Sequence, residues 1–292
     1  MEEFLSKDMN LSKWIKIKDA EYEREHPPDF MTHFHYVECL STISSGLSVE
    51  CKLDIKNKIE KESKFLQKKL NLLNLIRRNL HGEYETIRQN PSFAEVCVPW
   101  VAVKTYYLIF NLVLILEYLI CVQESLFNSS HEVLLKKLKD HLEKKELIFS
   151  QKFFNDNFQC SKIVKARAKR GFNLKMININ LSGRIAQVLR KLIGYKLEDF
   201  QRKNRIKDFR LKKDQQKKKE FLDNNTVNLC EFFYWYRIKS NYRDLEFLDK
   251  DISEKQFNNF YRSYLQLAVN FYQAFKKLIN DLAKIRLGKE IL

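Results

Sequence analysis

The sequence predicts an all-α fold, an up-and-down helical bundle, on three observations. Turn residues are scarce: the 292 residues include 6 Gly and 4 Pro, whereas a sheet protein needs turn signals every ~8–12 positions. Apolar residues recur at three- and four-residue intervals over long stretches. Hydrophobic residues make up 45% of the chain, enough to enclose a core rather than leave the chain disordered.

Residues 1–45 read as an N-terminal extension with one or two short helices, broken at Pro27-Pro28. His33 and His35 flank Phe34, an i, i+2 pair with no third metal ligand in view. Residues 46–150 hold the first three bundle helices. The first spans about Leu53 to Ile87, with Ile55, Ile59, Phe65, Leu66, Leu70, Leu73, Ile76 and Leu80 on one stripe. Asn90-Pro91-Ser92 ends it. The second spans about Pro99 to Glu124 and is apolar all round, which marks a central helix. A membrane span would want about 20 apolar residues free of mid-span charge; here Lys104, Asn111 and Glu117 interrupt the run. Asn128-Ser129-Ser130 makes a turn and cap for the third helix, which is amphipathic through Val133, Leu134, Leu138 and Leu142.

Residues 151–222 form a basic insertion, and residues 223–292 supply the last two bundle helices. The fourth helix opens at Asn224-Asn225-Thr226 and runs through VNLCEFFYWYR. The last follows a capping box at Ser253 and Gln256 and buries Phe257, Phe260, Tyr261, Tyr264, Phe271 and Phe275.

The formal net charge is +16. Between Lys162 and Lys219 stand 20 Lys and Arg against 4 acids, so 20 − 4 = +16 and the whole surplus lies there. A focused surplus displaces counterions from a polyanion, so the expected partner is a nucleic acid. Arg202, Lys203, Arg205, Lys207, Arg210, Lys212 and Lys213 are the expected contacts. The alternative is a solvated helix plus a disordered basic loop over QRKNRIKDFRLKKDQQKKKE. Ile185, Val188, Leu189, Leu192 and Ile193 sit at helical spacing and would dock this segment on the core. They make too weak a face for a membrane-lying helix.

The six cysteines form no CxxC pair, and the opening MEEFLSKDMN carries no apolar secretion segment. A reduced, cytoplasmic protein is expected. No phosphate-binding loop, dinucleotide-binding glycines, HExxH helix or GxSxG elbow occurs, so no cofactor or metal is expected.

Three segments resemble the HEPN superfamily, small helical bundles of prokaryotic toxins, defence proteins and nucleases. Lys104-Thr-Tyr106-Tyr107-Leu-Ile-Phe110 is similar to the family's Ala-Tyr-Tyr-x-x-Phe helix. Ser129-Ser130-His131-Glu132-Val133-Leu134 resembles the turn and helix that follow it. Arg237-x-x-Ser-Asn-Tyr-Arg-Asp resembles the family motif in its Arg-x-x-Ala-Asp-Tyr form. The likeness covers about 100–140 and 226–285, once the basic insertion is allowed.

The resemblance implies a metal-independent endoribonuclease that works as a homodimer, a toxin or antiphage effector held by an antitoxin or defence-system partner. The RNA 2′-hydroxyl would attack the adjacent phosphate, giving a 2′,3′-cyclic phosphate and a 5′-hydroxyl. Arg237 would hold the charged phosphate with its planar fork. The position of the family's proton-shuttling His holds Tyr242, preceded by Asn241. Tyrosine, with an ordinary pKa near ~10, can donate a proton but is a poor base at neutral pH. Asn241 can position a phosphate or a water. The other possibilities are a site that binds RNA without cutting it and a tyrosine that is itself modified. On the structural reading, Arg237 caps its helix and pairs with Asp244 or Glu246, and Tyr242 is a core aromatic. His81, beside Arg77 and Arg78, is a further Arg/His cluster on a different helix.

Overall fold

The computed structural model describes residues 28–60, 62–165, 181–242 and 252–292. Helix dominates, and the strands are two short antiparallel pairs, so the all-α expectation holds. The chain builds α1 (Pro28–Ile43), β1 (Val49–Cys51), α2 (Lys64–Gln89), α3 (Phe93–Cys121), a 3-10 turn (Glu124–Asn128), α4 (His131–Glu143) and β2 (Leu147–Phe149). Then come α5 (Lys152–Asn155), β3 (Phe158–Gln159), α6 (Cys160–Lys165), α7 (Leu181–Lys203), α8 (Lys212–Asn224), β4 (Thr226–Val227), α9 (Glu231–Tyr242) and α10 (Glu254–Leu287). β1 pairs with β2, Glu50 opposite Ile148, and β3 pairs with β4.

α3 is the axis because it has no polar stripe to show to water. α10 packs along it most extensively, and α2 and α9 flank it. It is long and apolar enough to cross a membrane by composition, yet 67% of its most apolar window is buried against its neighbours. It buries Thr105, Asn111 and Glu117, and the last two have polar neighbours close by. Asn111 donates to the Tyr107 carbonyl at 2.6 Å. Glu117, fully buried, lies 3.0 Å from His141 Nε2 off the ideal hydrogen-bond direction, an ion pair by distance. The last carbonyls of α3 meet a cation. Arg286 near the end of α10 donates to Leu119 and Ile120 oxygens at 2.9 and 2.8 Å and to the Asn57 oxygen at 2.7 Å. A positive charge at a helix C-terminus offsets the dipole as well as capping the carbonyls.

Several boundaries differ from the sequence reading. The first bundle helix starts at Lys64, not Leu53, because β1 and an extended connection precede it and Ser63 accepts from the Phe65 amide. Ile55 and Ile59 still pack on the core, which explains their helix-like spacing. α3 starts at Phe93 and keeps Pro99 inside it. The bond Pro99 cannot make would go to the carbonyl of Glu95, an exposed residue, where water can replace it. α9 starts at Glu231, later than Asn224, because Asn228 turns the chain: its side chain accepts from the Cys230 amide and donates to Phe154 and Asp156 carbonyls. The capping boxes and turns hold: Ser130 caps α4, and Ser253 with Gln256 caps α10.

Residues expected to lie in an N-terminal extension contribute α1 to the core. Phe30, Val37 and Leu40 are buried there, and His33, also buried, bonds the Tyr264 hydroxyl of α10. In the basic stretch, Ile185, Val188, Leu189, Leu192 and Ile193 are buried as expected, and α7 packs on α1 and α9. Each such side chain contributes about 1.5–3 kcal/mol by leaving water. Residues 212–224, part of the stretch whose alternative reading was a loop, are helical.

Candidate functional site

The three segments that carry the resemblance meet at one point. Tyr106 and Tyr107 come from the middle of α3, His131 and Glu132 from the first turn of α4, and Tyr234 and Arg237 from α9. Packing of α9 and α4 on α3 brings them together although 131 residues separate Tyr106 from Arg237.

The Arg237 guanidinium lies between two rings, 5.0 Å from the Tyr106 centroid and 5.6 Å from that of Tyr234. Such cation–π contacts fix a cation without neutralising it. Nη1 reaches the Tyr107 hydroxyl at 3.5 Å, the outer limit of a hydrogen bond, and Nε is buried with no partner. No carboxylate pairs with Arg237 among the described residues. Asp244 and Glu246, its sequence-expected partners, lie outside them. Asn241 and Tyr242 are the last two residues of α9, and their side chains lie outside the described set.

Around this cation His131, Tyr106 and Tyr234 are held neutral. His131 Nδ1 shares a short hydrogen bond with the Tyr106 hydroxyl. Burial first, then the Arg237 and Lys69 charges, hold the imidazole below its ordinary pKa, so it is neutral at pH 7. Burial pushes the Tyr106 hydroxyl far up despite Arg237, and it raises Tyr234 too. The cluster therefore offers a fixed cation, a neutral imidazole and protonated phenols. Arginine can bind phosphate oxygens, and the His131–Tyr106 pair can take or pass a proton, because a hydroxyl both donates and accepts. The crevice beneath, lined by Phe110, His131, Leu134 and Tyr234 among others, encloses about 40 Å³. That is too small for a nucleobase, and its lining is mostly apolar.

Tyr234 also donates to Glu132 at 3.2 Å, and Glu132 lies 3.6 Å from Lys203. This path joins the cluster to the C-terminal end of α7, hence to the basic stretch. The stretch is partly neutralised within the fold. Arg202 and Lys203 pair with Asp199 at 2.5 and 2.8 Å, and Arg210 approaches Asp208 at 3.7 Å. Arg205, Lys207, Lys212 and Lys213 are exposed and have no ion-pair partner among the described residues. Lys196 belongs to the core: with Lys139 it surrounds the buried Glu231 at 3.0 and 2.8 Å. Burial acts to raise that carboxyl, but the two ammonium groups outweigh it and hold Glu231 below the usual carboxylate range.

The other sequence candidates lie elsewhere. Arg77 stacks on Tyr272, and His81 is exposed on α2. Among the described residues no three His, Cys, Asp or Glu side chains gather as metal ligands. Sequence reasoning singled out Tyr106, Tyr107 and His131 as marks of a likeness but gave none of them a chemical part. It passed over Tyr234, whose i, i+3 spacing from Arg237 was the available signal. The chain matches no family model, no curated protein and no solved structure.

Proposed function

We propose that this chain is a HEPN-like RNA-binding protein that cuts RNA without metal, as a toxin or antiphage effector. What supports the reading is the meeting of Tyr106, His131 and Arg237, from three segments distant in sequence, around a cation with no carboxylate partner among the described residues. In this reaction the 2′-oxygen forms the new bond to phosphorus as its proton passes to the His131–Tyr106 pair. The Arg237 fork takes the charge on the non-bridging oxygens. The bond to the 5′-oxygen breaks, and that oxygen leaves with a proton donated by Tyr242, while Asn241 positions the phosphate. The exposed Arg205, Lys207, Lys212 and Lys213 draw in the RNA, tRNA among the substrates, and Arg202, Lys203 and Arg210 exchange their carboxylates for phosphates. Two copies form the working homodimer, restrained by an antitoxin or defence-system partner in the cytoplasm.

The test incubates the purified protein with tRNA and mRNA in EDTA and analyses the ends of any fragments. Cleavage leaving 2′,3′-cyclic phosphates, abolished by Arg237→Ala and slowed by His131→Asn, is the expected result. RNA left intact by the wild type overturns it. A second reading, a non-catalytic nucleic-acid- or protein-binding module, is favoured by the guanidinium's seat between two rings, which also pins α9 to α3. On that reading Arg237→Ala lowers the melting temperature and no cleavage exists to lose.

A further inference from the structure

A second recess, between α6 and α8, shares no described lining residue with the crevice beneath Arg237. It is an open groove of about 440 Å³. Known small-molecule sites occupy about 300–1,000 Å³, so one nucleotide fits. Its floor is apolar, with Val164 from α6 and Phe209 from the connection between α7 and α8. Its wall is α8, which presents Gln215, Lys218 and Lys219, with Asp223 the one carboxylate among the described lining residues. Lys218 Nζ lies 5.1 Å from the Phe209 ring centroid, so ring and cation already share one space. Lys219 is exposed and makes no ion pair among the described residues.

We infer that this groove binds one nucleotide of a single-stranded RNA, base against Phe209 and phosphate against Lys218 and Lys219. The inference rests on the reading of the chain as an RNA-binding protein and gives that reading a second point of attachment, separate from the cutting site. An aromatic face beside two ammonium groups recognises the two features every nucleotide carries, a π-face and a phosphate. A base stacks only when it is free of a partner strand, so the preference is for single strands over duplex.

The experiment uses a short fluorescein-labelled 2′-O-methyl oligouridylate, which lacks the attacking hydroxyl and cannot be cut. Fluorescence anisotropy reads its affinity for the full chain, for Phe209→Ala and for Lys218→Gln/Lys219→Gln. All three side chains lie partly or wholly at the surface, and circular dichroism checks that each variant is folded. Phe209→Ala is expected to weaken binding about fivefold or more. The double lysine variant is expected to flatten the salt dependence by roughly 0.7 in log–log slope, because the one phosphate that the two lysines hold is no longer neutralised. Wild-type affinity in both variants overturns the inference, as does tighter binding of the same label in a duplex. Ribonuclease activity is scored separately on natural RNA. Groove-dependent binding without cleavage would sink only the nuclease reading, and cleavage with unchanged binding would sink only the groove.

Discussion

Replacing Glu231 with glutamine removes one negative charge from a place where two cations converge. Glu231 is 2% exposed. Lys139 and Lys196, at 2.8 and 3.0 Å, keep only 18% and 16% of their side chains accessible. Loss of one partner from a buried pair costs about 3–5 kcal/mol, because the remaining charge stays desolvated. Both lysines also donate to the Thr226 carbonyl, so the lower figure, about 3 kcal/mol, applies. At roughly 2–4 °C per kcal/mol for a large domain, the melting temperature should fall by about 6 °C or more. Thermal unfolding followed by circular dichroism measures this. Adding Lys196→Met to Glu231→Gln should restore at least half of the loss, since it removes one stranded cation. The sign with pH follows from the depressed carboxyl. Its stabilisation is complete above the unfolded pKa near ~4.3 and disappears as pH falls through the lower folded value. The gap between wild type and variant should therefore close in acid. A loss under about 1 kcal/mol at pH 7, or a gap that widens in acid, would refute the reasoning.

His141 should act in the opposite pH range. The Glu117 carboxylate first, opposed by burial and supported by Glu146 at 2.6 Å, raises its pKa. Its contribution is full below about pH 6.5 and is lost as pH rises through the raised folded value. Wild-type melting temperature should then decline above neutrality while His141→Gln shows a flatter profile, and parallel profiles would count against the triad. Val122 closes α3 at φ 54°, a left-handed conformation that a β-branched residue rarely adopts. Since the left-handed region costs an L-residue roughly 1–2 kcal/mol, Val122→Gly should gain about 1 kcal/mol in urea titration; a loss would mean that its side chain packs more than its 38% exposure suggests.

How much of this was legible in the sequence depends on the range of the interaction. Local signals were readable: the Ser253–Gln256 box and the Ser130 cap stand where the sequence put them, and α3 is the central helix its apolar run foretold, although it starts earlier, at Phe93. So were local neutralisations, because Arg202 and Lys203 follow Asp199 at i+3 and i+4. Helix starts were misread where a side chain turns the backbone, as Asn228 does, or where apolar spacing continued into extended chain at Ile55 and Ile59. Interactions between distant elements left no periodic trace. Nothing near Lys196 foretells that its ammonium belongs to Glu231, so a count of charge overstated the free surplus. The same holds for His131, whose lowered pKa comes from burial and from an arginine 106 residues further on.

The topology of α1 and α10 bears on how the chain is made. The first described helix packs on the last, and His33 reaches Tyr264 across 231 residues. Arg286, two residues before the α10 cap, holds the end of α3. Pairings so distant in sequence form slowly, and apolar surface left open during synthesis invites association with other chains. On the ribosome α3 therefore emerges with its main neighbour still unmade, a hydrophobic rod without its sheath. A chain cut short before Arg286 would leave the Leu119 and Ile120 carbonyls without their cap.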